Sequence, residues 1–250
     1  MTLIRAVNVV LLSALALWLL WPEPAPDKRI LFVGNSFTFG GNVPEQVRRI
    51  AASAEPPVRY EVEMIAVGGH ALVDHVADGD AEERIAAEDW DAVILQDFST
   101  ASFTSHGRRF QKEGVLALSK LVPVPETELY YFAHWPPETI EHPTLSKTEA
   151  VRQIERTYGH LASQTGAKVI PVGAAWLEAW EQGQTDLYSP DQHHSSVKGA
   201  YIAALAIAQQ LGDVAVETSD WAPKAVSDSE AEQLRAAVVA SEPALASVSN

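Results

Sequence analysis

The chain has 250 residues, 47% of them hydrophobic, which suffices for one well-cored domain with a modest remainder at each end and excludes disorder as its overall state. Acidic residues outnumber basic ones 33 to 18, and the formal charge of −15 argues against nucleic acid or an anionic lipid surface as partner, since both need a basic face. Without cysteine there are no disulfides, thiol nucleophiles or thiolate metal sites, a composition that fits any compartment.

In chain order, the first feature is the uncharged apolar run 6–21 behind Arg5. A basic residue ahead of an apolar segment is the layout of a secretory signal or a membrane anchor. Cleavage sites are poor, because Pro26 follows Ala25 directly and a cut after Ala16 would leave Leu17 to Trp21 exposed. Trp18 and Trp21 sit where an interfacial belt would place them, so an uncleaved N-terminal hydrophobic helix is expected, with Arg5 inside and the rest of the chain exported to the periplasmic or extracellular face. A cleaved signal and a buried core helix are the alternatives. Residues 22–26, Pro-Glu-Pro-Ala-Pro, read as a stiff tether. The expected domain is therefore 28–250, with a core over 28–211 and a helical tail over 212–250.

From Lys28 onward apolar strands alternate with amphipathic helices, which predicts an α/β fold on a parallel sheet. Strands are expected at 30–33, 58–67, 91–96, 128–133 and 168–172. Helices are expected at 44–53, around 80–88, and at 109–121, 144–164, 174–180, 197–211 and 227–240, the last opened by a Ser227/Glu230 capping box. No internal repeat or low-complexity tract interrupts this pattern.

Ser36 follows the first buried strand, at the carboxyl edge where open α/β sheets place their ligands. It is either a nucleophile or merely the cap of the next helix, and a nucleophile needs a base. Asp191 and His194, three residues apart in the loop before the 197–211 helix, can place a carboxylate on imidazole Nδ1 and leave Nε2 free to take a serine proton. His193 is the rival base, but its ring should point away from Asp191. Alone, a D-x-x-H spacing also fits a solvated loop. His70, His75, His106 and His134 are not spaced with carboxylates as metal ligands, so neither a catalytic metal nor a cofactor is expected. Trp135 reads as a wall of the site, a sugar platform or core.

G-N-S-F-T after a buried strand, with D-x-x-H-x-S-x-x-G ahead of a late helix, resembles the GDSL/SGNH hydrolase superfamily over roughly 28–211, and its G-N-S-F-T subgroup in particular. The resemblance implies a three-layer α/β/α, flavodoxin-like fold with a five-stranded parallel sheet. It implies Ser36 as nucleophile, His194 as base and Asp191 as its orienting carboxylate. The backbone N–H groups of Ser36 and Gly69 would serve as oxyanion donors. Asn35 stands where the family more often has aspartate. Where most members carry an asparagine as third donor, this chain reads Leu95-Gln96-Asp97-Phe98-Ser99; Gln96 has an amide to offer, one methylene longer, and reads equally as a strand-end glutamine bonding nearby backbone.

The implied activity is hydrolysis of short acetyl-type esters, of small molecules or carbohydrates. Transfer of the acyl group to an extracytoplasmic polysaccharide and a non-catalytic carbohydrate-binding module on the same fold are the alternatives. Composition and motifs leave the oligomeric state open.

Overall fold

The computed structural model describes residues 25–138 and 145–241. The expected anchor at 6–21 and the first part of the tether lie outside them. Among the described residues, no helix is long and apolar enough to cross a membrane.

Five strands form the sheet: β1 (Lys28–Gly34), β2 (Tyr60–Ala66), β3 (Ala92–Leu95), β4 (Glu128–Phe132) and β5 (Lys168–Ile170). They are parallel throughout, in the order β2-β1-β3-β4-β5. Gly34 pairs with Ala66, Val33 with Leu95, Leu95 with Tyr131 and Phe132 with Ile170, so the carboxyl ends of the strands line up along one edge. The chain runs from β1 outward to β2 and returns across it to β3. That reversal opens a crevice at the carboxyl edge beside β1.

The consecutive apolar residues of β1 serve two cores. Ile30 and Phe32 face a layer built by α2 (Val43–Ala52), α7 (Val172–Glu181), α8 (Val197–Gln210) and α9 (Asp228–Ser241). Leu31 and Val33 face α3 (Leu72–Asp78), α4 (Asp80–Ala87), α5 (Ser105–Ser119) and α6 (Lys147–Thr165). All four side chains are fully buried, as expected of a parallel strand covered on both faces. α1 (Ser36–Phe39) is a single turn that follows β1 directly.

Local chemistry moves several boundaries from their expected places. α5 starts at Ser105 because Thr104 Oγ1 caps it, accepting from the Gly107 N–H at 2.9 Å. α6 opens with a Ser146/Glu149 capping box. Pro171 ends β5 after three residues, and α7 begins at Val172. The sequence pattern misses α3 altogether: it is seven residues long and is stopped by Gly79, whose φ is +80°.

Candidate active site

Ser36 does not cap α1. That role belongs to Asn35, whose Oδ1 accepts from the Phe37 N–H at 3.1 Å. The serine hydroxyl instead lies 2.9 Å from His194 Nε2, and His194 Nδ1 lies 2.6 Å from Asp191 Oδ2. Asp191 Oδ1 accepts the backbone N–H groups of His193 and His194, each at 3.0 Å, and the Ser189 hydroxyl at 2.6 Å. His194 foremost, then Ser189 and these amides, hold the Asp191 carboxyl well below the usual carboxylate range. The carboxylate thus stays ionised and fixes imidazole orientation, leaving Nε2 turned to the serine.

The crevice around Ser36 is held at several points. Asn35 is buried, and its Nδ2 donates to the His70 carbonyl at 2.9 Å and the Asp97 carbonyl at 3.3 Å. It therefore ties the ends of β2 and β3 to the Asn35–Ser36 pair. Between Val67 and His70 the chain turns, with the His70 N–H on the Val67 carbonyl at 3.2 Å and Gly69 at φ +80°. A Cβ on Gly69 would have nothing within 4 Å, so the site is open there and the glycine answers to backbone conformation alone. Among the described residues, neither the Ser36 nor the Gly69 N–H donates to a protein acceptor.

Gln96 is tied into the turn around Ser36. Its Oε1 accepts from the Asn35 N–H at 3.1 Å and the Thr38 hydroxyl at 2.9 Å, and its Nε2 donates to the Asp97 carbonyl. Those acceptances fix which end of the amide is which, and the side chain is 1% exposed. In this arrangement it braces the turn beneath Ser36. Gly34 must be glycine for the same packing, because a Cβ would stand 2.3 Å from Thr38 Oγ1 and 2.8 Å from Gln96 Oε1.

Trp135 is core rather than a wall or platform. It is fully buried, its ring stacked between Phe37 (centroids 4.3 Å, 6° between planes) and Trp176 (4.6 Å, 5°). Its indole N–H donates to the His193 carbonyl at 3.1 Å. With the Glu138 N–H on the Gln192 carbonyl at 2.9 Å and the Tyr188 hydroxyl on the Pro136 carbonyl, the 134–138 segment pins the histidine loop from below. Gln192 takes a left-handed φ of 58° inside that loop.

Asp97, which no spacing rule singles out, is fully buried. Its Oδ1 accepts from the Leu72 N–H at 2.8 Å and the Phe98 N–H at 2.7 Å, while Oδ2 has no hydrogen-bond partner among the described residues. Burial pushes its carboxyl up to about 6. Its own N–H donates to the Tyr158 hydroxyl at 3.0 Å.

Three further histidines have local partners. His75 is buried with Nε2 2.8 Å from the Gly34 carbonyl, and His70 pairs with Asp78 at 3.1 Å. His134 is buried against the Trp135 carbonyl, and burial pushes its imidazole down to about 4. Among the described residues, no group of three or more histidine, aspartate or glutamate side chains is arranged to hold a metal ion.

The sequence matches no family model and no curated protein. The structure does match solved ones. A protein from Slackia heliotrinireducens, provisionally described as an SGNH hydrolase, aligns over 74% of this chain and 99% of its own with TM-score 0.61 and 24% identity. A DUF4886 family protein from Bacteroides uniformis aligns over 86% and 95% with TM-score 0.70 and 18% identity. The acetylxylan esterase Axe2 from Geobacillus stearothermophilus aligns over 75% and 95% with TM-score 0.58 and 19% identity. Alanine variants of Axe2 at a serine, a histidine and an aspartate, described as catalytic mutants, align similarly. At these identities the likeness is one of fold: this chain has the three-layer α/β fold of the SGNH hydrolases.

Proposed function

We propose that this protein is a serine ester hydrolase, with Ser36 as nucleophile, His194 as general base and acid, and Asp191 as the carboxylate that orients the imidazole. The observation that carries this reading is the continuous chain of contacts, Ser36 Oγ to His194 Nε2 at 2.9 Å and His194 Nδ1 to Asp191 Oδ2 at 2.6 Å. A serine with only a capping role would not need a histidine so held.

Ser36 Oγ attacks the ester carbonyl carbon while His194 Nε2 takes the hydroxyl proton. The oxyanion is met by the N–H groups of Ser36 and Gly69, both without a protein acceptor among the described residues. Gln96 contributes by fixing the Ser36 turn through its amide oxygen. As the tetrahedral intermediate collapses, the bond to the alcohol oxygen breaks and His194 returns the proton to it. Water, deprotonated by the same imidazole, then releases the acid and restores Ser36.

A short acyl group on a carbohydrate is the substrate class we favour, since an acetylxylan esterase shares this fold. Export behind an uncleaved anchor belongs to the same reading and rests on the run 6–21. Protease accessibility of the domain on intact cells tests it: a fully protected domain contradicts export.

The direct test is Ser36→Ala in the full chain. It should keep its fold by circular dichroism, lower p-nitrophenyl acetate hydrolysis by roughly 10⁴-fold or more, and lose labelling by a fluorophosphonate. Undiminished hydrolysis by that variant contradicts the assignment.

A further inference from the structure

His193 stands beside the base, and the mechanism above does not use it. Its backbone N–H joins that of His194 on Asp191, but its ring turns the other way, with Nε2 3.2 Å from Ser99 Oγ. Ser99 is 3% exposed, at the carboxyl end of β3, and His193 Nε2 is its side-chain partner. The pair joins the loop after β3 to the loop before α8. The His193 ring is edge-on to His194, centroids 4.8 Å apart, and edge-on to Phe37 at 5.3 Å. It is thus packed against the base and the residue following the nucleophile, and it remains half-buried at the mouth of the site.

Burial, and then the neighbouring His194, lower the pKa of His193 and favour its neutral ring. A neutral imidazole carries one N–H and one lone pair. If Ser99 donates to Nε2, the free Nδ1 carries the proton; if Nε2 donates to Ser99, the free Nδ1 is an acceptor. Among the described residues Nδ1 has no hydrogen-bond partner in either case. His193 therefore carries one unfilled hydrogen-bonding position on a half-buried ring in edge contact with His194, the residue that delivers a proton to the leaving oxygen in the proposed mechanism. A hydroxyl is the group that satisfies it under both tautomers, because a hydroxyl donates and accepts. An acyl chain or an aryl ring does not.

We propose that His193 binds a hydroxyl of the alcohol moiety next to the ester being cleaved, with Ser99 as the positioning residue that fixes its ring, so that the site selects esters of polyols. This rests on the ester-hydrolase reading. It adds to that reading the side of the substrate that is recognised, and the group that recognises it.

The test compares kcat/KM for an acetylated methyl glycoside bearing a free hydroxyl beside the ester with that for its deoxy analogue lacking that hydroxyl. p-Nitrophenyl acetate, which has no such hydroxyl, serves as the control for hydrolysis itself. The wild type should prefer the hydroxyl-bearing glycoside by roughly 5- to 10-fold, the value of one well-made hydrogen bond. His193→Phe should bring the ratio near one, His193→Gln should recover part of it, and Ser99→Ala should reduce it. A wild-type ratio near one, or a ratio unchanged in His193→Phe, overturns the inference. If the glycosides and p-nitrophenyl acetate all fail with folded wild type, it is the hydrolase reading that falls. Should His193→Phe not fold, His193→Gln and Ser99→Ala carry the comparison, and an unchanged ratio in both overturns the proposal equally.

Discussion

The indole of Trp135 lies flat on the ring of Phe37, centroids 4.3 Å apart and planes 6° from parallel, while its N–H holds the carbonyl of His193. One buried side chain thus touches the residue after Ser36 and the residue before His194. Stacking of this kind contributes about 1 kcal/mol beyond the area it buries, and it leaves the two loops little freedom to separate.

Trp135→Phe should therefore keep most of the ring contact and lose the bond to His193. We expect kcat to fall roughly 10- to 100-fold with KM little changed, as small misplacements of reacting groups do. A fall confined to thermal stability, with kcat intact, would make Trp135 a packing residue only.

Asn35 is buried and donates two hydrogen bonds to carbonyl oxygens. Asn35→Asp keeps the size and the acceptor for the Phe37 N–H but removes both donors and sets a charge against two carbonyls. Such a change costs about 2–4 kcal/mol, which should appear as a drop in Tm of about 5–10 °C. An unchanged Tm at pH 8 would show that those donors matter little. The aspartate usual in the resembled family is thus expected to be unwelcome here.

The pH profile of hydrolysis follows from the contacts of Asp191. Because its carboxyl lies well below the usual range, it remains ionised throughout the working range. Under the proposed mechanism Asp191 therefore adds no proton of its own to the acid limb of kcat/KM. Log kcat/KM should rise with a slope of one on that limb, in wild type and in Asp97→Asn alike. A slope of two would mean that a second proton governs the site.

Asp97 gives a stability prediction with a definite sign. Its carboxyl titrates near 6 in the folded protein against 3.8 as the ordinary value, so between those limits the folded state holds more protons than the unfolded. Its contribution is complete below 3.8 and is lost as pH rises through about 6. Subtracting the stability curve of Asp97→Asn from that of wild type should isolate a decline on the order of 3 kcal/mol across that window. A flat difference curve would show that Oδ2 is not starved of partners.

Much of this architecture can be read from residues. The apolar runs Ile30–Val33 and Ala92–Leu95 are continuous because both faces of the sheet are covered, and Ser227/Glu230 announces α9. The pattern fails at α3, where seven residues give too little periodicity and one of the two carboxylates at its start, Asp97, is 25 positions away from Leu72. The shared sheet edge makes Ser36, Asp191 and His194 candidates for one site, but the roles of Gln96, Ser99 and Trp135 depend on partners 58 to 94 residues distant. No spacing rule reaches that far. Glutamine reads as a donor wherever an amide is wanted, and only the Asn35 N–H and Thr38 hydroxyl on its oxygen turn it inward.

Ser36 and His194 are separated by 158 positions along the chain. Their contact closes a loop that spans most of the sheet, so no N-terminal portion of the molecule can carry a competent serine on its own. Closing that loop costs entropy that the packing of α8 helps to offset. Under the proposed reading a nascent or partly folded chain should be inert toward esters, and reaction of Ser36 with a fluorophosphonate should report when its contact with His194 forms. Stopped at successive times of refolding, the labelled fraction should lag behind the recovery of helical signal and coincide with the burial of tryptophan.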